Sequence, residues 1–142
     1  MRIFLVVLVL AFLSAQVFAQ ESTYPLLKQK LEEVTGKNAI DCGRLPSVAT
    51  INTIITKLSC SFRANLLGKP FRLVKLSRSM IDSNTAYGLV GKGDGVVWFF
   101  YYDSSPAGIG SEPRFELFKC DALTLIIKTG YNGFTCEKKS SF

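Results

Sequence analysis

Val96-Val97-Trp98-Phe99-Phe100-Tyr101-Tyr102 is a run of seven β-branched and aromatic residues. Such side chains favour a pleated strand. Alternate residues of a strand point to opposite faces, so Val96, Trp98, Phe100 and Tyr102 share one face. Val97, Phe99 and Tyr101 share the other. Both faces are apolar. The strand is therefore interior and covered twice, or it is covered once and carries an aromatic surface on its other side. The second case makes Val97, Phe99 and Tyr101 a candidate binding face.

The sequence around this run reads as further strands. Gly91-Lys92-Gly93-Asp94-Gly95 is a tight turn, and 86–90 before it is short and apolar. The two strands form a hairpin. Residues 71–76 alternate as a strand. Residues 104–113, with Pro106, Gly108 and Gly110, form a long loop. Strands are expected at 114–120 and 123–129. Asn132-Gly133 is the strongest short turn signal, and it should lead back into Phe134-Thr135-Cys136.

Upstream the period changes to that of a helix. Pro25 suits a first helical turn, Leu27, Leu31 and Val34 recur on one face, and Gly36 is a natural stop. A helix is expected over about 24–35. Residues 37–46 read as a connector, and Ser47 as an N-cap. Val48, Ile51, Ile55, Leu58, Phe62 and Leu66 then mark the face of a long amphipathic helix over 48–67. Gly68 and Pro70 end it. The expectation is an α+β domain: two N-terminal helices, then an antiparallel sheet of about four to five strands. Trp98 and its face should pack under the long helix. This element order is similar to that of the cystatin-like group, in which a helix lies on a curved antiparallel sheet. The chain has neither the Gln-x-Val-x-Gly loop nor the Pro-Trp hairpin of that group's protease inhibitors. The likeness therefore implies an architecture and no activity.

The chain begins Met1-Arg2, runs apolar over 3–13, and carries Val17 and Ala19 at the −3 and −1 positions of a cleavage site. This is the pattern of a secretory signal peptide over 1–19. The apolar run is short for a membrane span, so stable membrane insertion is not expected. Cleavage leaves 20–142 as one secreted domain, extracellular or periplasmic. Removing Arg2 from 17 basic residues leaves 16 against 11 acidic, a net charge of +5. That balance is too mild to indicate nucleic acid as a partner. Cys42, Cys60, Cys120 and Cys136 are an even set, read as two disulfides. Pairing is expected as Cys42–Cys60 and Cys120–Cys136. With a turn at Asn132-Gly133, Cys136 falls opposite Thr129, so the second pair needs a bend or bulge.

The chain has no histidine. Histidine-based nucleophile systems, the usual neutral-pH base and histidine-ligated metals are thereby excluded, and no cofactor is indicated. Asp103 and Glu112 flank the long loop and are the candidate carboxylate pair for a hydrolase. Lys92-Gly93-Asp94 is similar to the integrin-binding tripeptide of some disintegrins, but a three-residue match carries little information and the preferred reading is a plain hairpin tip. Arg63, Lys69, Arg72, Lys75 and Arg78 are a basic cluster without an acid from 60 to 81. Arg72 and Arg78 share a strand face and are candidates for contact with an anionic partner. The leading expectation is a secreted, disulfide-stabilised, non-catalytic binding or inhibitor-type module. Its partner would be a protein, peptide or lipid, or a second copy docked on an open sheet face. The alternatives are a small hydrolase and a cationic factor acting at membrane surfaces.

Overall fold

The computed structural model describes residues 24–77 and 83–137. The expected signal segment over 1–19 and Arg78 lie outside them. Helix α1 (Pro25–Thr35) is followed by β1 (Ile40–Leu45), α2 (Ile51–Leu66), β2 (Pro70–Leu76), β3 (Thr85–Lys92), β4 (Val97–Asp103), β5 (Arg114–Lys119), β6 (Ala122–Lys128) and β7 (Tyr131–Glu137). Strands β1 to β5 form one sheet in chain order, and β6 with β7 forms a hairpin of its own. The α+β class and the antiparallel meander of β2 to β5 follow the sequence reading.

One strand corrects it. The segment 37–46 is not merely a connector between two helices. It contains β1, which pairs parallel to β2, Ile40 against Phe71 and Arg44 against Val74. A parallel neighbour needs a crossover connection, and α2 supplies it. The register slips between Asp41 and Arg44, where Gly43 has φ +98°. That irregularity breaks the two-residue period and hides the strand in the sequence.

Both faces of the sheet are covered. On one, α2 and the β6–β7 hairpin bury Ile54, Leu58, Phe71, Leu73, Leu89, Phe99 and Phe134 together. On the other, Leu27 and Leu31 of α1 pack with Val74, Val90, Phe100 and Tyr102. The long helix thus lies over the Phe99 face, and the expectation that it covers Trp98 is reversed. Trp98 and Tyr101 are half-buried, on opposite sides.

The helix α2 is also rotated from its expected orientation. Ile54, Leu58, Ser61 and Ala64 face the sheet. Ile55, Phe62 and Leu66 face outward, Leu66 at 87% exposure. Small side chains at Ser61 and Ala64 let the helix backbone approach the sheet, and Cys60 is tied to Cys42 of β1. The N-cap is Thr50 rather than Ser47, its hydroxyl accepting from the Thr53 amide at 3.2 Å.

The disulfides pair as expected, with Cα atoms 5.6 Å apart in Cys42–Cys60 and 5.3 Å in Cys120–Cys136. The second bond needs no bend, because the hairpin turns at Thr129-Gly130 and not at Asn132-Gly133. Lys128 pairs with Tyr131, and Cys136 stands opposite Leu123. Gly130, the second turn residue, has φ +77°, a left-handed value that glycine takes without steric cost. Asn132 and Gly133 lie inside β7. Asn132 Nδ2 donates to the Ala49 carbonyl at 3.1 Å, which ties the hairpin to the start of α2.

Candidate functional site

The residues proposed from sequence do not form one surface. Phe99 is in the core, stacked on Tyr87 at 5.6 Å, and Val97 and Tyr101 pack against the same cluster. Their face is filled by α2 and the hairpin, so it is not the open sheet face expected. The basic cluster is dispersed. Arg63 and Lys69 face solvent, Arg72 points to the α1 side, and Lys75 is fully buried on the opposite side. Alternation along β2 sends these neighbours apart.

Of the candidate carboxylate pair, Asp103 takes part in holding the long loop. Asp103 Oδ1 accepts from Ser83 Oγ at 2.8 Å and from the Ser105 amide at 2.9 Å, which organises the loop. Glu112 is exposed. Lys92-Gly93-Asp94 is likewise engaged by the fold. Lys92 Nζ lies 4.5 Å from the Trp98 ring centroid, and Asp94 Oδ1 accepts from the Val96 amide at 3.0 Å. Among the described residues, no group of three or more Cys, Asp or Glu side chains is arranged to hold a metal ion.

The chemistry that is assembled lies between α1 and the β1–β2 edge of the sheet. A cavity of about 450 Å³ opens there. Its apolar wall is Leu27, Leu31 and Val74, and its polar wall carries Lys28, Arg44 and Arg72. Each comes from a different local rule. Lys28 follows the buried Leu27 on α1, and so sits at the margin of the helix's apolar stripe. Arg72 and Val74 are alternate residues of β2 and share the α1 face. Arg44 follows the irregularity at Gly43, which turns β1 at this point.

Asp41 also lines the cavity, and it pairs with Arg72 in the parallel register. Its Oδ1 accepts from the Gly43 amide at 2.8 Å. Arg72 Nη1 is buried and has no hydrogen-bond partner among the described residues. A buried guanidinium nitrogen without a partner is costly, and the acceptor it lacks is of the kind an anion offers. Three cations against one carboxylate make the cavity a net positive site. Beside it, burial pushes the Tyr24 hydroxyl above its ordinary value of 10.0, against the pull of the Arg44 charge. Tyr24 therefore stays a neutral phenol at physiological pH.

Sequence reasoning singled out Arg72 but missed Lys28, Arg44 and the cavity. The signal was weak, since Arg44 and Arg72 are 28 residues apart and meet only through the parallel β1–β2 pairing. No known protein family, curated protein or solved structure matches the chain.

Proposed function

We propose that this small, two-disulfide domain is a secreted, non-catalytic binding module, and that its ligand is an anion carrying a short apolar group. The carrying observation is that Lys28, Arg44 and Arg72 line one cavity together with an apolar wall; Arg72 Nη1 is in addition buried without a hydrogen-bond partner among the described residues. A cavity of about 450 Å³ is within the usual range of about 300–1,000 Å³ for small-molecule sites. Leu27, Leu31 and Val74 offer an alkyl group a dry surface, while Arg72 and Arg44 take a carboxylate or phosphate. Secretion is supported by the signal pattern over 1–19 and by both disulfides.

Titration calorimetry with hexanoate, hexyl phosphate and inorganic phosphate tests this reading. The alkylated anions should bind more tightly than inorganic phosphate, and Arg72→Gln should abolish binding while leaving the fold intact. Absence of heat with all three probes at millimolar concentration sinks the proposal. So does undiminished binding by the Arg72→Gln variant.

A second reading, action at an anionic membrane surface, is supported by a different observation. Ile55, Phe62 and Leu66 form an exposed apolar stripe on α2, flanked by the exposed Arg63 and Lys69. No acidic residue occurs from 42 to 81. Among the described residues no helix is long and apolar enough to cross a membrane, so such contact would be superficial. Flotation with phosphatidylserine vesicles, lost at high salt and in Phe62→Ser, is the expected result. Equal recovery with purely zwitterionic vesicles would dismiss it.

A further inference from the structure

The free edges of the two sheets differ in how they are protected. An edge strand presents unpaired amides and carbonyls, and proteins guard it with charges, short length or bulges. In the five-stranded sheet β1 has six residues, an irregularity, and the exposed charges Asp41 and Arg44. Strand β5 also has six residues, and it exposes Arg114, Glu116 and Lys119. Strand β6 has none of these devices. Its sequence is Ala122-Leu123-Thr124-Leu125-Ile126-Ile127-Lys128, with a single charge at its last position. Among the described residues its only ladder partner is β7.

The direction of its backbone groups follows from the turn. A two-residue turn closes on a hydrogen-bonded pair, here Lys128 and Tyr131. Hydrogen-bonded pairs then alternate back along the ladder, so Ile126 and Thr124 also bond to β7. The amides and carbonyls of Leu123, Leu125 and Ile127 therefore point outward, to the free edge. The same three side chains share the face turned toward the main sheet, where Leu123 packs on the core. Leu125 and Ile127 continue past the covered part and are 41% and 62% exposed. Among the described residues the hairpin thus overhangs with unpaired backbone and uncovered apolar side chains on the same residues.

We propose that β6 pairs antiparallel with β6 of a second copy, giving a twofold dimer with a four-stranded β7–β6–β6–β7 sheet. The strand is self-complementary about Leu125. With Leu125 opposite Leu125 of the other copy, Leu123 stands opposite Ile127 and Thr124 opposite Ile126. The outward-pointing residues then form hydrogen-bonded pairs with each other, and no ladder group at the centre is left over. The charges agree as well. Lys128 of each copy lies opposite Ala122 of the other, next to Asp121, which Lys119 already approaches at 3.6 Å. Every contact occurs twice, as a closed twofold interface requires. A foreign strand could use the same backbone groups. The symmetric register and the end charges favour a second copy instead.

The test is sedimentation equilibrium of the disulfide-intact secreted chain, with Leu125→Lys and Leu125→Cys variants. The wild type should show twice the chain mass at micromolar concentrations. Leu125→Lys places two ammonium groups opposite each other and should weaken the dimer by about tenfold or more. Its melting behaviour extrapolated to the monomer should be unchanged, because the side chain is exposed. Leu125→Cys should give a covalent dimer under mild oxidation, since opposed residues lie about 5.5 Å apart, within disulfide range. This second variant decides the matter if Leu125→Lys fails to fold. A wild-type monomer up to hundreds of micromolar overturns the proposal, including one that captures an added strand peptide. A dimer that survives Leu125→Lys and forms no Leu125→Cys cross-link also overturns it, because the copies then meet elsewhere.

Discussion

Lys75, with no solvent exposure, extends its ammonium group to the Pro46 carbonyl at 2.8 Å. The Ser47 carbonyl accepts a second bond at 3.1 Å, and the Tyr131 ring lies 5.4 Å away. One buried cation therefore joins β2, the segment leading into α2, and the hairpin. Lys75→Ala removes two charge-assisted bonds and leaves a cavity. It should cost about 2–4 kcal/mol in urea unfolding. Burial also holds the Lys75 ammonium below the ordinary lysine value of 10.5. The folded state thus binds this proton less tightly than the unfolded state. The desolvation penalty is present at neutral pH and fades as pH rises from the lowered value toward 10.5. The stability difference between wild type and Lys75→Met should move in favour of wild type between pH 7 and pH 10. A difference independent of pH would show that the group does not titrate there.

Tyr87 behaves in the opposite sense. Its hydroxyl is buried and bonded to the Tyr131 hydroxyl. Burial first, then that bond, raises it well above the ordinary 10.0. The folded state holds the proton more tightly, so this contribution is complete below pH 10 and declines as pH rises further. Tyr87→Phe should cost about 1 kcal/mol at pH 7. Its deficit relative to wild type should shrink at pH 11. Chemical unfolding at the two pH values reads both effects, and an unchanged deficit rejects the assignment.

Trp98 carries a third prediction. It is half-buried on the α1 side, and its Nε1 is buried without a hydrogen-bond partner among the described residues. Trp98→Phe discards an unpaired N–H and keeps an aromatic ring, so the change should stay within about 1 kcal/mol. Trp98→Ala should cost about 2 kcal/mol, less than the 3–5 of a fully buried aromatic. Its fluorescence should be partly quenched by acrylamide. Complete protection from quenching would mean that the face is closed.

The legible parts of the fold were those governed by local rules. The period of α1, the aromatic strand, the β3–β4 turn and the even set of cysteines follow from residue type and spacing. The rotation of α2 does not. Its largest apolar residues gave a regular stripe, yet the sheet receives Ser61 and Ala64 because a close approach needs small side chains. Hydrophobicity cannot rank a residue for being small. Ile55, Phe62 and Leu66 are left outside as a consequence. The cavity was illegible for a related reason: Lys28, Arg44 and Arg72 converge only through the β1–β2 parallel pairing, and the irregularity at Gly43 hides β1. Arg72 was found because it sits in a visible strand.

Gly133 tests the misread turn directly. An Asn-Gly pair signals a hairpin loop because glycine accepts positive φ, yet Gly133 is inside β7 and is not among the residues of positive φ. What excludes a side chain there is contact. A Cβ on Gly133 would lie 2.5 Å from Tyr87 Oη and 2.8 Å from Tyr131 Oη. Gly133→Ala must therefore push the paired tyrosines apart, at a cost of about 1–3 kcal/mol. The real turn residue, Gly130, has nothing within 4 Å of its Cβ position. Gly130→Ala meets only the left-handed backbone penalty, about 1–2 kcal/mol. A double-mutant cycle separates the two mechanisms. Tyr87→Phe removes the nearer oxygen, so Gly133→Ala should be less costly in that background, while Gly130→Ala should cost the same in both. Additive behaviour of Gly133→Ala with Tyr87→Phe would place its penalty in the backbone and return Asn132-Gly133 to a turn.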